Sequence, residues 1–162
     1  MALDLAQVSI AATWQQSKAN TGFASTVQGP DSNALLATLA VGSSDADSVY
    51  AASGTIASAG TVSIDLQSFT DQLGQAITMT RVYAMLVQTA TGSLKVEPHG
   101  TNGLVWFFSG TTPAITLPPG GGFCFLQTTS QTVDATHKVV KLTNTGSPAV
   151  TLTYKITILG GP

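Results

Sequence analysis

The chain has 162 residues, of which 43% are hydrophobic and only 9% charged, with a formal net charge of −2 and a single cysteine. That length suits one compact domain with a modest extension and enough apolar material for a sizeable core. Six scattered basic residues form no patch able to neutralise phosphates, which argues against nucleic-acid binding, and a lone Cys124 excludes an intrachain disulfide and a cysteine zinc cluster.

Residues 1–47 read as a segment of their own. Val8, Ile10, Ala12 and Trp14 alternate with polar neighbours and fit one strand. Gln15 to Asp31 is polar and broken by Gly22, Gly29 and Pro30, which reads as a loop or extended arm. Asn33 to Val41 carries Leu35, Leu36 and Leu39 and fits a buried strand or a short capped helix. The turn at Gly42-Ser43-Ser44-Asp45 favours the strand. The opening Met1-Ala2-Leu3-Asp4 lacks the basic and apolar regions of a signal peptide, and no stretch approaches the ~18 apolar residues of a membrane helix.

From Ser48 a rhythm of short strands and turns sets in. Val49 to Ile56 is a strand, Ser58-Ala59-Gly60 a turn, and Val62, Ile64 and Leu66 alternate in the next strand. Phe69 and Leu73 anchor a connection. Ile77, Met79, Arg81, Tyr83, Met85 and Val87 share one face of a long strand whose other face carries Val82, Ala84 and Leu86. Thr91-Gly92-Ser93 turns into Leu94-Lys95-Val96, and Leu104 to Phe108 is an apolar aromatic strand. Ala114 to Leu117 leads through Pro118-Pro119-Gly120-Gly121-Gly122 into a strand from Phe123.

The end of the chain has the clearest pattern. Val150, Leu152, Tyr154, Ile156 and Ile158 point one way and Thr151, Thr153, Lys155 and Thr157 the other, a strand with one buried and one wet face. Val140 and Leu142 precede the turn Asn144 to Pro148, so an antiparallel hairpin is expected, with its inner face covered by a second sheet. The whole predicts an all-β protein, an antiparallel β-sandwich or barrel over residues 48–162.

Gly54 to Gly160 resembles small virion proteins of tailed bacteriophages and prophages. The resemblance rests on "SIDLQSFTDQLGQAITMTRVYAMLVQT", "LKVEP", the glycine-rich corner in "ITLPPGGGFCFL" and the closing "LTYKITILGG". It implies a jelly-roll-like sandwich in a capsid decoration or cement subunit. Residues 1–47 go beyond the short family form.

Candidate chemistry is sparse. Glu97 and His99 lie two apart and invite an acid–base or metal reading, but a proline separates them and no third ligand is near. His137 reads as an edge residue. Asp45 and Asp47, among serines, read as a turn in place of a calcium loop, which draws on more carboxylates. Asp65 and Asp71 make no hydrolase pair; the resemblance implies turn and strand-end roles. Cys124 has no local base to activate it, and Gly120–Gly122 lacks the Lys-Ser/Thr of a phosphate loop. Of the consecutive Trp106, Phe107 and Phe108, at least one must face away from the core, as a sugar-stacking platform or an oligomer contact, and the low surface charge favours the contact. With Trp14, they are the candidate interface residues.

The expectation is therefore a protein without catalytic residues, cofactor or metal. It is made in the host cytoplasm and carried on the virion, a homotrimer contacting the major capsid protein, with no nucleic-acid or membrane partner. Residues 1–47 would staple a neighbouring subunit. The alternative is a receptor- or glycan-binding domain of a tail fibre or tip.

Overall fold

A computed structural model describes residues 48–70, 76–105, 113–146 and 150–161, and the backbone of four earlier strands: β1 (Ala6–Ile10), β2 (Trp14–Ala19), β3 (Ala24–Gly29) and β4 (Leu35–Leu39). The chain divides into two compact units, one formed by Gln7–Thr38 and a larger one that holds Leu39–Pro162.

In the smaller unit β2 and β3 form an antiparallel hairpin, in register from Trp14 opposite Gly29 to Ala19 opposite Ala24. β1 lies beside β4. The strand at Leu35–Leu39 agrees with the sequence. The polar stretch from Gln15 does not: it is strand where a loop or arm was expected, and Val8 to Trp14 is not a single strand. The reason is physical. Gln-Gln-Ser-Lys carries no hydrophobic alternation, so periodicity is silent, whereas a hairpin ladder is held by backbone amides whatever the side chains.

The larger unit is all-β, with no helix among its described residues. Its strands are β5 (Ser48–Ile56), β6 (Thr61–Asp65), β7 (Phe69–Thr70), β8 (Ala76–Ile77), β9 (Arg81–Thr91), β10 (Leu94–Pro98), β11 (Ile115–Leu117), β12 (Gly122–Thr132), β13 (Val139–Asn144) and β14 (Leu152–Gly161). Two four-stranded antiparallel sheets result, ordered β12-β9-β14-β5 and β11-β10-β13-β6. The short β7 and β8 pair with each other.

Both sheets feed one core. Ile56, Met85, Val87, Leu152, Ile156 and Ile158 come from the first sheet, and Ile64, Leu94, Val96, Leu117, Val140 and Leu142 from the second. The strict alternation of β14 appears in full: Leu152, Tyr154, Ile156 and Ile158 are buried while Thr153 and Lys155 are exposed. Val150 is not part of that buried set. It precedes the strand and is 40% exposed.

The expected hairpin at the end of the chain does not form. β13 pairs with β10 and β6, and β14 with β9 and β5, so the turn after Asn144 crosses from one sheet to the other. The turns at Ala57–Gly60 and Gly92–Ser93 cross in the same way. Crossing lets strands adjacent in sequence supply the core from different sheets, whereas a hairpin would put both in a single sheet. The long strand proposed from Ile77 is also shorter than expected. It opens at Arg81, with Ile77 in β8 and Met79 buried in the link. Phe69 packs against the core and meets Tyr50 edge-on, ring centroids 5.1 Å apart. Leu73 lies outside the described residues.

β9 and β14 slip register beside Ala84 and again beside Thr89. At the first slip Gly160 is obligatory: a Cβ there would overlap the Arg81 carbonyl and the Met79 sulfur. Bulges of this kind re-aim side chains, so Val82 joins the core cluster while Ala84, itself buried, does not.

Candidate functional site

The residues singled out for chemistry are spent on structure. Glu97 does not pair with His99. From β10 it binds Lys95 Nζ at 2.6 Å, Lys141 Nζ at 2.9 Å and the Thr143 hydroxyl at 3.0 Å. Partial burial alone would raise its pKa, but the hydrogen bonds from Lys95, Lys141 and Thr143 prevail and lower it to about 2. It is therefore a fixed anion near neutral pH, unfit to shuttle protons. His99 Nδ1 accepts the Thr101 backbone N–H at 3.2 Å, which stabilises its own loop.

Asp65 closes β6. Its Oδ1 accepts the Gln67 amide and its Oδ2 pairs with Lys138 at 2.9 Å, a strand-end role. Asp134, which the sequence did not single out, gathers the Thr136 hydroxyl and amide and the His137 amide and ring nitrogen. These bonds, Thr136 first, lower its pKa to about 2. His137 belongs to this exposed turn and lies ahead of β13. Cys124 is half-buried, and burial pushes its thiol pKa up, away from the reactive thiolate. Gly120 takes φ +73° and Gly121 N–H donates to Pro118 O, forming the corner that carries the chain from β11 in one sheet to β12 in the other. Asp45, Asp47, Asp71, Trp106, Phe107 and Phe108 lie outside the described residues, as does the side chain of Trp14. Among the described residues no three His, Cys, Asp or Glu side chains gather as a metal site, and no helix is long and apolar enough to cross a membrane.

What the structure does bring together is two unlike sheet faces. On the β11-β10-β13-β6 sheet the side turned from the core carries Thr116, Lys95, Thr143 and Thr61 in one row, and Glu97, Lys141 and Ser63 in the next. Every one of these is polar. On the β12-β9-β14-β5 sheet the corresponding rows are Leu126, Ala84, Leu159 and Val49; then Cys124, Leu86, Thr157 and Ala51; then Gly122, Gln88, Lys155 and Ser53. The first two rows are almost wholly apolar, and Leu86 stands 39% exposed at their centre. With Val82, Ala84 and Leu86 on its second face, the C-terminal half of this strand reads from the sequence as buried on both sides. Val82 and Ala84 are buried as that reading requires, and Leu86 is not.

Two buried polar residues went unrecognised. Thr89 Oγ1 donates among the carbonyls of Thr91, Gly92 and Thr153 and pins the second slip. Asn144 is 2% exposed and ties together the turns at its end of the molecule. The only signal in the sequence was its position in a turn, where asparagine is ordinary.

No protein-family model matches the chain, and no characterised protein or solved structure matches it either.

Proposed function

We propose that this chain is a non-enzymatic structural subunit that decorates the capsid of a tailed bacteriophage, docking through the outer face of the β12-β9-β14-β5 sheet. The observation that carries the reading is the inequality of the two sheet faces. One is lined by threonine, serine, lysine and glutamate. The other presents Leu126, Cys124, Leu86, Leu159 and Val49 in adjoining rows. Contiguous apolar surface on an outer face is the usual mark of a protein contact.

The finer fold belongs to the same proposal: the larger unit is a jelly-roll sandwich. Its support is the strand order, in which the chain changes sheet at almost every turn and each sheet interleaves early and late strands. Viral shells and sugar-binding domains both use this arrangement. Identical subunits usually close with rotational symmetry, and a trimer suits the local threefold axes of an icosahedral shell.

Co-sedimentation with emptied capsids, together with light scattering of the free protein, tests the reading. The wild type should be trimeric and pellet with capsids. Leu86→Lys, at a partly exposed position, should melt like the wild type and lose attachment by roughly tenfold or more, as for a buried contact residue. A Leu86→Lys protein that attaches equally well would refute docking by this face. A second reading, a receptor- or glycan-binding part of a tail fibre or tip, is favoured by one observation: a cleft beside Gly120–Gly122 with Gln88, Thr153 and Lys155 in its wall.

A further inference from the structure

In the third row of the outer face, Gln88 and Lys155 are cross-strand partners and Gly122 lies opposite Gln88 on its other side. They border a cleft of about 340 Å³ with Thr153, Tyr154 and Gly121 also in its wall. The side chains of Gln88, Thr153 and Lys155 have no hydrogen-bond or ionic partner among the described residues. The contrast with the other lysines whose side chains are described is sharp. Lys95 and Lys141 are held by Glu97 and Lys138 by Asp65, while Asp134 is engaged within its own turn.

The glycines leave this wall of the cleft bare: nothing lies within 4 Å of a Cβ placed on Gly120, and a Cβ on Gly122 would stand in ordinary contact with Gln88 Cγ at 3.4 Å, so only a larger side chain there would fill the space. One ammonium and two neutral hydrogen-bonding groups then face a space at the small end of ligand pockets. That set fits a ligand with one negative charge and several hydroxyls. A phosphate group would call for more positive charge than one lysine supplies.

We propose that this cleft binds a single acidic sugar residue, its carboxylate on Lys155 Nζ and its ring hydroxyls on Gln88 and Thr153. The site rests on the cleft alone and stands whether or not the sheet face docks on a shell.

Titration of the whole isotope-labelled protein with glucuronate, glucose and acetate, followed by amide NMR, tests it. Millimolar glucuronate should shift Gln88, Gly122, Thr153 and Lys155. Glucose and acetate should each bind about tenfold more weakly, since each lacks one half of the recognition. Lys155→Met should weaken glucuronate about tenfold with an unchanged melting temperature, because Lys155 is exposed and holds no ion pair among the described residues. Gly122→Val, by crowding Gln88, should weaken it too while leaving the charge in place. Absence of shifts in this row, acetate binding as tightly as glucuronate, or unchanged affinity in either variant would each overturn the proposal.

Discussion

Asn144 is a buried polar side chain that joins two turns of the larger unit, and its role sets a sharp test. Its Nδ2 donates to the carbonyls of Ile56 at 3.0 Å, Ala57 at 3.2 Å and Val150 at 2.8 Å, and its Oδ1 accepts the Gly146 N–H at 2.9 Å. The turn leaving β5 and the turn entering β14 are thereby joined through one buried amide. Two donor hydrogens and one acceptor, at ~0.5–1.5 kcal/mol net each, make the loss in Asn144→Ala about 2–4 kcal/mol. Asn144→Asp is more informative because it conserves shape. A carboxylate oxygen would then face three carbonyl oxygens, so burial and repulsion must raise the pKa of the new acid above its unfolded value of ~3.9. A raised pKa stabilises the fold only at low pH. The deficit of Asn144→Asp relative to wild type should be large at neutral pH and shrink as pH falls toward that unfolded value. Urea denaturation of the three proteins at several pH values measures both effects. A cost below about 0.5 kcal/mol for Asn144→Ala, within the range of ordinary surface changes, or a pH-independent deficit for Asn144→Asp, would refute the staple.

Three further outcomes follow from the same structure. Ile156→Ala, at a core position 1% exposed, should cost ~2–5 kcal/mol in urea denaturation, and Thr153→Ala within about 0.5 kcal/mol. Glu97, with a folded pKa of about 2 against an ordinary value of 4.5, should contribute stability that is complete above the ordinary value and lost as pH falls through that window. Thermal melts across this range should show a steeper acid decline for the wild type than for Glu97→Gln. Gly160→Ala should lower stability by about 1–3 kcal/mol, as overpacking does, because the added methyl overlaps the Arg81 carbonyl; an unchanged melt would place the β9–β14 slip elsewhere.

Much of the larger unit was legible because a strand's side chains report their environment two by two. The four buried positions of β14, the buried Leu94 and Val96 of β10, and the glycine corner before β12 all followed from local pattern. Pairing was not legible. A two-residue period says that a strand has an inner face and is silent on which strand lies beside it. The turns at Ala57–Gly60 and after Asn144 contain the residues that a hairpin would use, yet both cross between sheets. Asn144 was hidden for a related reason, since its value lies in carbonyls 87 and 88 residues away in the chain as well as in its own turn. The polar β2–β3 hairpin was invisible because its stability owes nothing to apolar alternation.

The low charge of the chain also takes on a different meaning once the strands are placed. Averaged over 162 residues, 9% charged suggests a uniformly neutral surface. Among the described charges, Lys95, Glu97, Lys141, Lys138 and Asp65 stand on or beside one sheet, joined in ion pairs, while Arg81 and Lys155 belong to strands of the other. In the three rows of the opposite sheet the one charged side chain is Lys155. Beyond Glu97, whose carboxylate is largely covered, surface pairs add little to folding stability, so the gathering of charge on the β11-β10-β13-β6 sheet is better explained by solvation than by fold. A face held in water by charge and a face left apolar around Leu86 are separate requirements, and a free monomer needs only the first. The second is the feature on which the proposed docking rests.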